Sequence, residues 1–234
     1  MVIPNSGRLY SSLDRIGEHV SERRHVAGVE MTFIVENLRD DCLHPCTIDD
    51  VVAVLEIVPA SDWAGIRTVV FRQPTRKQAI LNPAWGRLRY DGEVTTVRRR
   101  RVAAGPMILL DAIEANCVID WSAGLGPDDQ AELARLRADG HGVERVGSRF
   151  RIRIAPDSAR RTQLFRTLLH EIGHWFDWLE KVESAAMRGE NFETLVEHYF
   201  ARPQAEREAF AHRYANIMSN KLTSAGVIPF EART

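Results

Sequence analysis

The stretch that most constrains this chain is PDSARRTQLFRTLLHEIGHWFDWLEKV, residues 156–182. Phe165, Leu168, Leu169, Ile172, Phe176 and Leu179 recur at helical spacing, so the stretch is expected to form an amphipathic helix with Asp157 or Ser158 as its N-cap. Within it lies His170-Glu171-Ile172-Gly173-His174. A four-residue offset stacks both imidazoles on one helix face, where a single zinc ion can accept a nitrogen from each. Glu171 sits about 100° around the helix from His170. That places it beside the metal rather than on it, where a carboxylate can take the proton of an attacking water. Chance alone yields such a pentad in roughly one chain in fifty of this length and composition. The bland alternative is a surface helix that carries these three residues incidentally. The amphipathic context, directly after a strictly alternating strand, favours the metal.

A catalytic zinc takes three protein ligands and leaves a fourth position open. The continuation HExxHxxGxxH fails here, because Asp177 and Glu180 stand at its Gly and last His positions. Glu208, in PQAEREAFAHRYANIM, is the candidate third ligand. Pro203 suits the start of a helix. Ala211 and Ala215 share a face with Glu208 and are small enough to let this helix approach the first one closely. The alternative is that Glu208 is one more solvated acid beside Glu206.

HEIGH followed by E-x-x-A-x-x-x-A (Glu208, Ala211, Ala215) resembles the ImmA/IrrE-type zinc metallopeptidases of the gluzincin group. More loosely, it is similar to the catalytic domain of anthrax lethal factor. The resemblance covers residues 145–220 and leaves 1–100 without a counterpart. It implies an α+β, zincin-like fold: a small mixed sheet, an HExxH helix, and a second helix carrying the third ligand. It also implies a Zn2+ cofactor on His170, His174 and Glu208, Glu171 as catalytic base, and a protein or peptide substrate. His212 stands where the family pattern E-x-x-A-N-x-F-A has Asn, and the aromatic of that pattern is Tyr214. By the looser likeness to lethal factor, Tyr199 is the candidate oxyanion donor, with His198 its rival; a packed core aromatic is the other reading of Tyr199. Asp177 either accepts a hydrogen bond from a ligand imidazole or is a surface acid. His212 is a neighbour of the site, a replacement ligand should Glu208 point away, or an exposed surface histidine.

The 234 residues suffice for one full core, and length alone permits a second small domain. The expected division is an N-terminal helical and strand region, 1–100, and a zincin-like domain, 101–234. A first helix is expected over 8–24. A second is expected over TIDDVVAVLEIV, capped by Thr47 with Asp50 as a short capping-box partner. IRTVVFRQP reads as a strand, and AILNPAWGRLRYDGE as a strand or a hairpin turning at Asp91-Gly92. GPMILLDAIE reads as a buried strand. PDDQAELARLRADG reads as a helix with Pro127 in its first turn and Gly140 just past its end. RFRIRIAP is a strand that a Gly147-Ser148 turn joins to VERV. In zincins a strand there lines the cleft and binds substrate backbone; the alternative is a half-buried strand with a solvated arginine face.

Hydrophobic content of 44% and charged content of 27% are ordinary for a globular chain. The formal net charge of −1 argues neither for nor against nucleic acid. Arg98, Arg99, Arg100 and Arg101 could contact nucleic acid or an acidic partner; a solvated loop is the commoner explanation. Cys42, His44 and Cys46 hint at a second metal site but lack a fourth partner, and three cysteines make no disulfide framework. No apolar run reaches the roughly 18 residues of a membrane span. The opening segment lacks signal-peptide features, so a cytoplasmic protein without membrane contact is expected. The leading expectation is a zinc endopeptidase. The alternatives are a non-catalytic binding or sensing module, a protease acting on DNA-bound proteins, and an effector protease.

Overall fold

The computed structural model describes residues 11–81, 84–115 and 117–232. Strands β1 (Ser11–Ile16), β2 (His19–Val26), β3 (Val29–Glu36) and β4 (Cys42–Leu43) come first. Helix α1 (Ile48–Ile57), β5 (Thr68–Arg72), α2 (Arg76–Leu81), β6 (Gly86–Thr96) and β7 (Arg101–Asp111) follow. Next are β8 (Ile113–Glu114), β9 (Val118–Ser122), α3 (Pro127–Ala138), β10 (Gly142–Val146) and β11 (Arg149–Arg153). A continuous helical run then contains α4 (Pro156–Arg161), α5 (Leu169–Trp178) and α6 (Ser184–Met187), joined by wider π-type turns over Thr162–Leu168 and Leu179–Glu183. Helices α7 (Phe192–Ala201) and α8 (Gln204–Ser224) complete the fold.

The architecture is α+β. A six-stranded mixed sheet has the order β1-β6-β7-β5-β3-β2, with β7, β5 and β3 parallel and β6 antiparallel to β7. Alternation along the central strands divides two cores. Phe33, Val69, Phe71, Ile108 and Leu110 face the helices and join Leu168, Leu169, Ile172, Trp175 and Trp178. Ile34, Val70, Met107 and Leu109 face the other way in a smaller cluster that contains strand residues only. A separate antiparallel sheet, β10-β11-β9, packs on α3 and α4 through Leu133, Leu136, Ile152, Ile154 and Ala159. Among the described residues, no helix is long and apolar enough to cross a membrane.

Several expected elements form as read. Thr47 caps α1 in a complete capping box with Asp50, α3 starts at Pro127, and the β10–β11 hairpin turns at Gly147-Ser148. Others do not. The described part of the helix expected over 8–24 is two strands, β1 pairing with β6 and β2 with β3; residues 8–10 lie outside the described residues. The sparse apolar positions there provide no helical stripe, and pairing with neighbouring strands decides the local structure. Asp91-Gly92 is not a turn but part of a bulge inside β6, where the pairing with β7 shifts between Arg89 and Gly92. A Cβ on Gly92 would lie 2.8 Å from Arg89 Cβ, so the bulge requires glycine. The true turn lies between Thr96 and Arg101, with exposed Arg98, Arg99 and Arg100 in it and Arg99 at φ 61°. Residue 100, expected as a boundary, therefore sits in the hairpin between two paired strands. The sheet and its core draw on both sides of it.

The helical run is capped by neither Asp157 nor Ser158. Ala155 is the N-cap, and Pro156, with its φ preset, opens the helix. Gln163 ties the run to the sheet by donating to the carbonyls of Trp85 and Asp111 at 2.8 and 2.9 Å. Arg160 binds the Asp50 carboxylate at 2.6 and 3.0 Å, fixing α4 against α1.

Candidate metal centre

Helices α5 and α8 touch at Gly173. A Cβ there would lie 3.0 Å from Tyr214 Cβ and 3.1 Å from both Cα and O of Ala211, so the two helices meet closely enough that a side chain would have to push its neighbours by a few tenths of an ångström. Ala211 and Ala215 are buried at that crossing, as their size suggests. Glu208, nearly one turn before Ala211, is thereby held over the histidine face of α5. Its Oε2 lies 3.2 Å from His170 Nε2 and 3.5 Å from His174 Nε2. The two imidazole centroids are 4.6 Å apart and nearly perpendicular. Hydrogen bonds from His170 and then His174 hold the Glu208 carboxyl far below the usual carboxylate range. Burial alone would lower the His174 imidazole; contact with Glu208 and the charges of Glu171 and Asp177 outweigh it and raise it.

His212 lies one turn beyond Glu208 on α8, its ring 4.4 Å from that of His170. Among the described residues, the group of potential metal ligands whose donor atoms all lie within 4.8 Å of one another is His170, Glu208 and His212. His174 is not part of that mutually close trio but reaches the same Glu208 oxygen. Burial, with the charge of His170 second, pushes the His212 imidazole down to about 4. The buried Nδ1 of His170 has no hydrogen-bond partner among the described residues.

Glu171 lies between the histidine helix and strand β6. It is only 8% exposed, and its Oε2 accepts the Leu88 N–H of β6 at 2.7 Å. Pairing between β1 and β6 begins at Ser11 and Asp91, so among the described residues 86–90 of β6 has one unpaired edge. The strand beside the HExxH helix is thus β6, not β11. Strand β11 lies between β10 and β9, paired on both sides, and its Arg151 and Arg153 engage Asp120 and Glu144.

Tyr199 does not reach the site. It is 2% exposed, packed among Tyr90, Trp178 and Phe200, and its hydroxyl lies 3.1 Å from Tyr90 Oη and 3.5 Å from the His174 carbonyl. Burial, then Tyr90, raises its pKa further above the phenol range. A hydroxyl so placed supports the backbone behind His174 instead of facing a substrate. His198 is exposed on α7. Asp177 is wholly buried, but its partners are Arg202 at 2.7 Å and Lys181 at 3.5 Å rather than a ligand imidazole. Cys46 turns to Gln163 and His44 to the Glu36 carbonyl, and among the described residues the Cys42–Cys46 segment is part of no group of potential metal ligands.

The Leu88 N–H had no counterpart in the sequence reading, because a main-chain donor leaves no mark in residue identity. For His212 there was a mark: it stands four residues after Glu208, the spacing that joins His170 to His174. Comparison with known proteins finds no matching family model, no matching curated protein and no matching solved structure.

Proposed function

We propose that this chain is a zinc-dependent endopeptidase that hydrolyses peptide bonds of a protein substrate, with a zincin-like centre of the kind the ImmA/IrrE resemblance implies. The observation that carries this reading is one carboxylate oxygen of Glu208 lying 3.2 and 3.5 Å from the Nε2 atoms of both motif histidines. Donors bonded at about 2.0–2.1 Å to a tetrahedral zinc stand about 3.3 Å from one another. The Glu208 oxygen stands at such a separation from each imidazole, and a donor set of two imidazoles and a carboxylate suits zinc, with metal availability deciding among divalent ions. Bound zinc supplies Lewis acidity, polarising the scissile carbonyl and making water more acidic.

Glu171 is the general base. The Leu88 N–H fixes the carboxylate through Oε2, and Oε1 takes the proton of the attacking water and passes it to the leaving amine. Among the described residues the edge of β6 at 86–90 is unpaired; it adjoins this carboxylate and offers backbone groups to an extended peptide. The same Leu88 contact favours a second reading, a non-catalytic binding module, because it gives Glu171 a structural reason to be present.

The test is metal content of purified protein beside cleavage of a mixed peptide library. Wild type should hold about one zinc per chain, as a mononuclear site requires. His174→Ala and Glu208→Ala should lose it. Glu171→Gln should keep the metal and lose cleavage. Zinc binding without cleavage in the wild type would move the conclusion to the second reading. No zinc in the wild type, even after zinc is added, would refute both.

A further inference from the structure

We infer that His212 is a fourth protein ligand of this centre, closing the position a substrate would use, so that the resting protein is latent. This rests on the zinc reading above and deepens it. Three observations support it. His212 and Glu208 are four residues apart on α8, so both side chains leave the same face toward α5. The His212 ring lies closer to His170, at 4.4 Å, than the His174 ring does, at 4.6 Å. The donor atoms of His170, Glu208 and His212 already lie within 4.8 Å of one another, and His174 reaches the same Glu208 oxygen at 3.5 Å.

Bringing donors that lie within 4.8 Å of one another to the roughly 3.3 Å between ligands of one zinc requires at most about 1.5 Å of side-chain movement. The half-exposed His212 can supply that by χ rotation while the Gly173–Ala211 contact holds the helix backbones still. Four protein ligands make a closed site, whereas a working hydrolytic zinc keeps one position open. A substrate peptide entering along β6 would have to displace His212 before its carbonyl could approach.

The experiment compares wild type with His212→Ala and His212→Asn on three readouts independent of activity. Zinc affinity is measured by competition with a chromophoric chelator. Open coordination is measured by azide titration of the cobalt(II)-substituted proteins, followed in the visible bands. X-ray absorption at the zinc edge of the wild type counts imidazoles without any variant. The expected results are zinc binding weakened at least about tenfold in both variants, azide binding strengthened at least as much, and three imidazoles on wild-type zinc. Variants with wild-type zinc and azide affinities, or two imidazoles at the edge, would overturn the fourth-ligand inference and leave the zinc reading intact. A wild type that binds no metal overturns both, and a variant that fails to fold leaves the decision to the wild-type imidazole count.

Discussion

Gly173 sets how near Glu208 comes to the two histidines. A methyl group there must find room against Ala211 and Tyr214 at 3.0–3.1 Å, and Tyr214 is held by its hydrogen bond to Asp62 at 2.7 Å. Gly→Ala in a helix gains about 1 kcal/mol of propensity, while overpacking of this kind costs about 1–3 kcal/mol. Gly173→Ala should therefore lower the thermal midpoint modestly. It should weaken zinc binding by about tenfold or more, because metal donors tolerate only about 0.2 Å of displacement. Calorimetry and chelator competition on the same samples check this; an unchanged zinc affinity would show that the crossing has slack. Residue by residue, the shared side of His170 and His174 was readable because helical spacing converts directly into a face, and the small Ala211 and Ala215 pointed to the close approach that brings Glu208 to them. Tyr199 carried two readings for the opposite reason: nothing in spacing says whether an aromatic on α7 turns to a cleft or, as it does, to Trp178 and Tyr90.

At the scale of elements, helices were readable where capping and apolar stripes agree, as in α1 with its capping box. Strands were less so, because the partner rather than the segment decides. The 8–24 segment, with Leu13 and Val20 exposed, carries little of its own signal and becomes β1 and β2 only through β6 and β3. Likewise Asp91-Gly92 has turn chemistry, yet β7 continues past it and converts it to a bulge. The clamp between α5 and the end of α7 was invisible because it joins residues 25 positions apart: Asp177, wholly buried, is held by Arg202 at 2.7 Å. Removing one partner of a buried ion pair strands the other charge, at a cost of about 3 kcal/mol, whereas replacing both by apolar residues is often close to neutral. Arg202→Met should thus lose about 3 kcal/mol in urea unfolding, less whatever Lys181 restores at 3.5 Å. The double variant Asp177→Leu, Arg202→Met should recover most of that loss. Equal losses in single and double variants would mean the ion pair is not what holds α7 to α5.

For the whole molecule, the question is whether the half that carries the candidate metal centre can stand without the first hundred residues, as a reading based on motifs alone suggests. The sheet argues that it cannot. Strand β7 follows residue 100, but both its neighbours, β6 and β5, precede it, and Met107, Ile108, Leu109 and Leu110 between them are almost fully buried. A buried charge network crosses the same division. Asp111 is gripped by Arg72 through two 2.8 Å bonds and by Arg87 at 3.0 Å, while Arg72 also meets Asp14 and Arg89 pairs with Asp14 at 2.8 Å. Cutting at residue 100 removes both cations from Asp111 and uncovers two faces of an apolar strand. The cut also removes the Leu88 N–H from Glu171 and the Ala64 carbonyl from Trp175 Nε1 on α5. Losses of several kcal/mol from each source exceed the typical 5–15 kcal/mol of total domain stability when combined. A 101–234 fragment should therefore show no cooperative unfolding transition and no stoichiometric zinc binding, even though it contains His170, His174, Glu208 and His212. Circular dichroism melting with and without added zinc checks this. A fragment that melts cooperatively and binds one zinc would show that the helices hold the centre on their own, with the sheet serving only to position Glu171.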